Sequence, residues 1–260
     1  MVDQYDGLRV VNHGPVIELV IDRAGVRNAL EPADRNQLRA ALEGAAADPE
    51  VRAVVLTGAG PVFCAGGNIA GMRVEPVDLA DRSTSLTALV TTMARGRLPI
   101  VAVVEGGAYG LGLGLASLCD LVVTGRSALF AASFVKLGLT ADTGITWSLT
   151  RRIGWARTRR LLLTTVTLDA DTALAWGIAD ELVPDGTARD RALVLVEQLA
   201  GRSPTAVAAT RRLMADLPDD VDSALAAEAA AQSELMLGAE FAAAREAFLA
   251  RRAASSGGVR

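Results

Sequence analysis

The sequence predicts an α/β fold that gives way to an all-helical segment, and three observations carry that expectation. Apolar β-like runs alternate with helix-period stretches through the first two thirds of the chain. Two glycine-bearing loops, around 65–68 and 106–114, each follow a strand-like run. From about Thr187 onward the β signals stop and alanine-rich helical runs take over.

Leu8–Val11 and Val16–Ile21 flank Asn12-His13-Gly14-Pro15, which reads as a hairpin with His13 as an ordinary turn residue. RAGVRNAL (23–30) is an irregular link. Pro32 opens a helix with Leu38, Ala41, Leu42 and Ala45 on one face. Val51–Leu56 is a buried strand that leads to the loop Val62–Ile69. The charged segment 73–82 reads as a variable surface loop, and Ser83–Arg95 as a helix. Pro99–Val104 is a strand, Gly107–Leu118 is helical, and Leu121–Thr124 and Ala128–Phe130 are short strands. Helices are expected near Gly144–Ile153, Ala156–Leu163 and Asp171–Trp176, with a last strand at Glu181–Val183. Ser203-Pro204 supplies an N-cap and an N1 proline for the next helix. Asp219–Leu237 and Ala239–Arg252 follow, with alanine on the inward side. The boundaries read as a core over 1–190, a helical region over 191–254 and a disordered tail over 255–260.

With 260 residues, 51% of them hydrophobic, the chain can bury one sizeable core. A net charge of −4 gives no basic surface for nucleic acid, and no apolar run is long enough to span a membrane. Cys64 and Cys119 are too few for a disulfide framework and suit a reducing, cytoplasmic compartment. His13 is the only histidine, so Ser-His or Cys-His catalysis and a protein metal site are not expected.

Ile100–Asp120 is the stretch richest in chemical meaning, with five glycines between 106 and 114. A dinucleotide fingerprint would need glycine where Leu115 stands and an acid about 20 residues later; Asp120 comes far too early. The remaining reading is a pair of backbone donors. If the turns Ala65–Asn68 and Gly110–Gly112 converge, two N–H groups hold one oxygen and stabilise an enolate or tetrahedral oxyanion, with no metal or histidine required.

Arg27-Asn28-Ala29-Leu30, Phe63–Asn68, Gly110–Asp120, Lys136–Leu139, Ala173–Ala179, Val183–Asp185 and Arg202–Pro204 occur in an order and spacing that resembles the enoyl-CoA hydratase/isomerase (crotonase) family over nearly the whole chain. That resemblance implies a spiral of ββα units, a coenzyme A thioester as substrate and no permanently bound cofactor. It implies that the N–H groups of Gly67 and Leu111 hold the thioester carbonyl. It places Val26 and Arg27 beside the adenosine, and Ala65, Gly67, Asn68 and Ile69 along the CoA. It makes Phe248 and Arg251 an aromatic-plus-cation pair lent to the CoA nucleotide by a neighbouring subunit. The late helices then serve a homotrimer, or a hexamer of two trimers.

The departures matter more than the matches. Family hydratases position water with two glutamates; their places here are Gly114 and Phe134, which move no proton. The usual aspartate after the first donor is Asn68. In isomerases like that of the phenylacetate pathway, an aspartate shuttles the proton, and Asp142 matches it together with Phe134, Lys136, Gly138 and Trp147. The expectation is therefore double-bond migration, with Asp142 as acid/base in an apolar pocket where desolvation favours the protonated carboxyl. A hydratase with differently held water and a non-catalytic acyl-CoA binder are the alternatives. The plain readings are Asp142 as a helix N-cap, Cys64 as packing, Lys136 as a surface lysine, Asp120 as the start of a strand and Arg251 as a complement to a helix C-terminus.

Overall fold

The N-terminal hairpin forms as expected. Strand β1 (Leu8–Asn12) pairs antiparallel with β2 (Val16–Ile21), and Leu8 lies opposite Ile21. A computed structural model describes residues 5–72 and 75–256, which fall into two compact units, one up to Gly201 and one from Arg202.

In the first unit, β2 is followed by α1 (Pro32–Ala47), β3 (Ala53–Gly58), α2 (Pro76–Arg95), β4 (Ile100–Val104), β5 (Gly107–Tyr109) and α3 (Leu111–Leu118). Next come β6 (Leu121–Gly125), β7 (Leu129–Ala131), α4 (Ile145–Thr164), β8 (Leu168–Asp169), α5 (Ala170–Trp176), β9 (Glu181–Val183) and α6 (Ala188–Ala200). The main sheet runs β1-β2-β3-β4-β6-β9 and is parallel from β2 onward. A small second sheet, β5-β7-β8, carries the turn into α3.

Alternation along the strands sorts the core. Leu19, Ile21, Val54, Leu56, Ile100 and Ala102 face the layer containing α1, α2 and α3. Val16, Ala53, Val55, Val101 and Val103 face Ala188, Ala192 and Val196 of α6. With both faces covered, the strands read as unbroken apolar runs. Each fully buried Val or Leu contributes roughly 1.5–3 kcal/mol relative to exposure.

Glu18 interrupts the apolar run of β2 and is 1% exposed. Arg189, at the start of α6, grips it with two hydrogen bonds of 2.6 Å, and His13 Nε2 lies 2.8 Å away. Burial pushes the Glu18 carboxyl up, but the bonds from Arg189 and His13 outweigh it and hold the carboxyl below its ordinary value. His13, read as an ordinary turn residue, thus also reaches the buried Glu18 carboxylate from the surface.

Three local expectations are corrected. The segment read as a loop over 73–82 is helical from Pro76, because the inward spacing of Leu86, Leu89 and Met93 continues back to Arg82. Residues 73–74 lie outside the described residues. The two helices expected around 145–163 run together as α4, bent at Gly154, whose φ of 77° no right-handed helix contains. The tail expected to be disordered from 255 continues α9 to Ser256, and 257–260 lie outside the described residues.

The second unit holds α7 (Pro204–Ala215), α8 (Val221–Met236) and α9 (Ala239–Ser256). The Ser203 hydroxyl accepts the Ala206 N–H at 3.1 Å, the cap that the Ser-Pro pair predicts. Ser203 and Thr205 both donate to Glu240, which ties the start of α7 to the start of α9. The alanines of α8 do not form a buried face in the single chain: no residue of that helix is buried, and Leu237 just beyond it is 90% exposed.

Candidate active site

The two glycine turns converge. Cys64 bridges to Ala108 in parallel fashion, its N–H reaching Gly107 O and its carbonyl accepting from Tyr109. Leu30 bridges to Gly67 by donating to Gly66 O at 2.8 Å and accepting from Asn68 N–H at 3.3 Å. A parallel bridge engages the neighbours of its central residue, so the N–H of Gly67 points away from Leu30. A Cβ on Gly66 would lie 3.7 Å from the Leu111 nitrogen. Leu111 is the first residue of α3, and the first bond of that helix is Gly114 N–H to Gly110 O at 3.0 Å. Its amide therefore lies outside the helical ladder, at the end where the helix dipole favours negative charge.

Close approach explains the glycines. Gly112 lies against the carbonyl of Cys64, in a gap that no Cβ fits. Cys64 itself is fully buried, and desolvation pushes its thiol up to about 12, as packing rather than nucleophilic chemistry requires.

The first link joins the same region. Ala65 N–H donates to Arg27 O at 3.0 Å. Arg27 and Val26 are exposed, and Arg27 adopts a left-handed φ of 53°. Asn28 secures this bend: its Nδ2 donates to Ala59 O at 2.9 Å and Val62 O at 2.7 Å, while its Oδ1 accepts from Arg23 N–H. Asn68 Nδ2 donates to Glu31 Oε1 at 2.6 Å, and its Oδ1 accepts from Gly71 N–H at 3.3 Å, so Asn68 orders the loop that carries exposed Ile69.

Asp142 stands at the other side. Its Oδ1 accepts from Thr143 Oγ1 at 2.8 Å, and its Oδ2 lies 3.8 Å from Arg82 Nη2. The residue preceding α4 is Gly144, so Asp142 is not its N-cap; toward the helix it is the main-chain carbonyl of Asp142 that accepts, from Ile145 N–H. The expected apolar enclosure is not found either, because the side chain is 33% exposed and faces a guanidinium. Thr143 has φ 65° and Gly144 φ 64°, a left-handed pair that turns the chain sharply beside the carboxylate. For a β-branched residue that backbone is strained.

The places of the two hydratase glutamates are occupied. A Cβ on Gly114 would come within 2.7 Å of Thr143 Cβ and Cγ2. The Phe134 ring, half-buried in a short 3₁₀ helix, stands 3.9 Å from where a Cβ on Gly110 would lie.

Two cations escaped the reading of the sequence. Arg82 Nη2 lies 3.3 Å from the Cβ position of Gly67. Arg35 is fully buried in α1, donates to Leu30 O and Arg82 O at 3.3 Å each, and has an unpartnered Nε. Burial first, and then the charge of Arg82, push the Arg35 guanidinium down to about 10, so it keeps its proton at neutral pH. The signals were present: Arg35 shares the stripe of Leu38 and Leu42, and Arg82 shares that of Leu86 and Leu89. Phe248 and Arg251 belong to the second unit, three residues apart on α9, with Phe248 56% exposed.

Among the described residues, no helix is long and apolar enough to cross a membrane. The family model for enoyl-CoA hydratase/isomerase matches residues 12–257. A Rhodobacter capsulatus protein named "Probable enoyl-CoA hydratase" is 35% identical over 240 residues, 90% of this chain and 91% of its own. The 1,2-epoxyphenylacetyl-CoA isomerase of Escherichia coli is 36% identical over 190 residues, 71% of this chain and 72% of its own. The crystal structure of an enoyl-CoA hydratase from Polaromonas sp. JS666 superposes with a TM-score of 0.88 at 31% identity, covering 94% of this chain and 97% of that one. Converging glycine turns, near-complete coverage and a shared fold lead to one conclusion: the chain belongs to the enoyl-CoA hydratase/isomerase family and has the crotonase fold.

Proposed function

We propose that this chain is an enoyl-CoA isomerase that moves a double bond along an acyl-CoA, with Asp142 as its acid/base. The thioester oxygen sits between the N–H groups of Gly67 and Leu111, where negative charge develops as the α-proton leaves. Asp142 takes that proton from the α-carbon of a 3-enoyl-CoA and returns it to the γ-carbon. The dienolate collapses to the 2-enoyl thioester, with no net gain or loss of atoms. A single carboxylate suffices because no water is added.

The observation that carries this reading is the loss of both water-positioning carboxylates: Gly114 is closed off by Thr143, and Phe134 is apolar. The reading keeps Val26, Arg27, Ala65, Asn68 and Ile69 along the CoA, and Phe248 with Arg251 on the nucleotide of a neighbouring subunit's substrate. It includes a homotrimer or a dimer of trimers, in the cytoplasm, with no permanently bound cofactor. The names of relatives span hydratase, dehydratase and isomerase, so they do not choose the reaction.

The test is to incubate purified protein with a 3-enoyl-CoA and, separately, a 2-enoyl-CoA, and to follow the ultraviolet absorbance of the conjugated thioester and the mass of the product. Conjugation without mass gain from the 3-enoyl substrate is the expected result. A mass gain of one water from the 2-enoyl substrate would instead make it a hydratase. Tight binding of both without turnover would make it a binding protein.

A further inference from the structure

Arg82 lies against one of the two glycine turns. Its guanidinium lies against Gly67, with Nη2 at 3.3 Å and Nη1 at 3.8 Å from the Cβ position of that residue. Among the described residues, its side chain makes one loose ion pair, to Asp142 at 3.8 Å, and no hydrogen bond. The side chain is 21% exposed, and it lines a cavity of about 630 Å³ together with Leu30, Asn68 and Met72. Its guanidinium therefore borders both that cavity and Gly67.

A second cation stands close by. Arg35 stands behind, with Nη2 4.0 Å from the same Cβ position. Two guanidiniums thus border Gly67, and Asp142 is the loose ion-pair partner of one of them. Gly114 and Phe134 contribute no charge. Glu31, Asp78 and Asp81 line the same cavity, with Glu31 bonded to Asn68, Asp78 half-buried and Asp81 exposed, so among the described lining residues Arg82 is the group that an anionic ligand can engage.

We propose that Arg82 recognises a carboxylate on the acyl group, close to the thioester, so that the preferred ligands are short dicarboxylic acyl-CoAs. This rests on the acyl-CoA reading above. A guanidinium offers donors in a planar fork that matches a carboxylate, and Arg35 adds a second positive charge that cannot move away. An alkyl group in the same place would leave the fork poorly hydrated and without an acceptor, which costs binding free energy.

The experiment is calorimetric titration of the purified protein with succinyl-CoA, butyryl-CoA and free CoA. The two thioesters share a four-carbon saturated chain and differ at its end. Succinyl-CoA is expected to bind at least about tenfold more tightly than butyryl-CoA. Arg82→Met should abolish the preference while leaving free-CoA affinity unchanged, and Arg82→Lys should keep part of it. Equal binding of the two thioesters to the unaltered protein overturns the proposal without any variant and leaves the acyl-CoA reading intact. A preference that survives in Arg82→Met also overturns it. Failure of both thioesters to bind would refute both readings together.

Discussion

Thr143 occupies the space that a side chain at position 114 would need, with its Cβ and Cγ2 each 2.7 Å from a Cβ built on Gly114. Thr143 is 2% exposed and held in a left-handed turn, so it has nowhere to retreat. Placing a carboxylate there by Gly114→Glu is therefore expected to destabilise the protein by about 1–3 kcal/mol and to add no hydration activity. Thermal unfolding and a water-addition assay check both parts. A stable variant that hydrates a 2-enoyl-CoA would remove the argument from Thr143.

Asp142→Asn keeps the shape of the side chain and removes its base. Loss of kcat by about 10²–10⁴-fold for 3-enoyl-CoA conversion, with KM nearly unchanged, is the expected result. Full activity in this variant would show that the proton moves through another group.

Gly112→Ala places a methyl group on the Cys64 carbonyl. The turn carrying Leu111 must then separate from the turn carrying Gly67. Acyl-CoA binding should weaken by more than free-CoA binding does, and stability should fall by about 1–3 kcal/mol. Competition between the two ligands measures the difference.

Glu18 gives a pH dependence with a definite sign. Its folded carboxyl titrates below the ordinary value, so its contribution is fully present above the unfolded pKa. That contribution disappears as pH falls through the lower folded pKa. Glu18→Gln should lower stability at neutral pH by about 1–3 kcal/mol, and should lose less stability than the parent chain on acidification. Denaturant midpoints measured across the acid range read this directly, and parallel pH profiles for the two proteins would contradict it.

Much of the fold is legible in local pattern. The short apolar run of β2, the helical spacing of Leu38, Ala41, Leu42 and Ala45, and the Ser203-Pro204 cap each act within a few residues. Glycine at 66 and 110 is likewise a local demand, for positive φ, whereas glycine at 112 answers the distant carbonyl of Cys64. So the alternating architecture, the two turns and the absence of a carboxylate at 114 and 134 are determined by the sequence alone.

The electrostatics of the site are not. Arg35, Gly67, Arg82, Asp142 and Thr143 come from α1, a loop, α2 and the turn before α4, and no local period records their meeting. Asp142 looked like a helix cap or an enclosed base, because sequence neighbours cannot reveal that a guanidinium sixty residues earlier lies across from it. Arg82 was hidden in a segment read as loop, where charge ordinarily means solvent. Only the packing of α2 over the glycine turns places that charge beside Gly67, because long-range contact, rather than residue type, decides which ionic groups share one space.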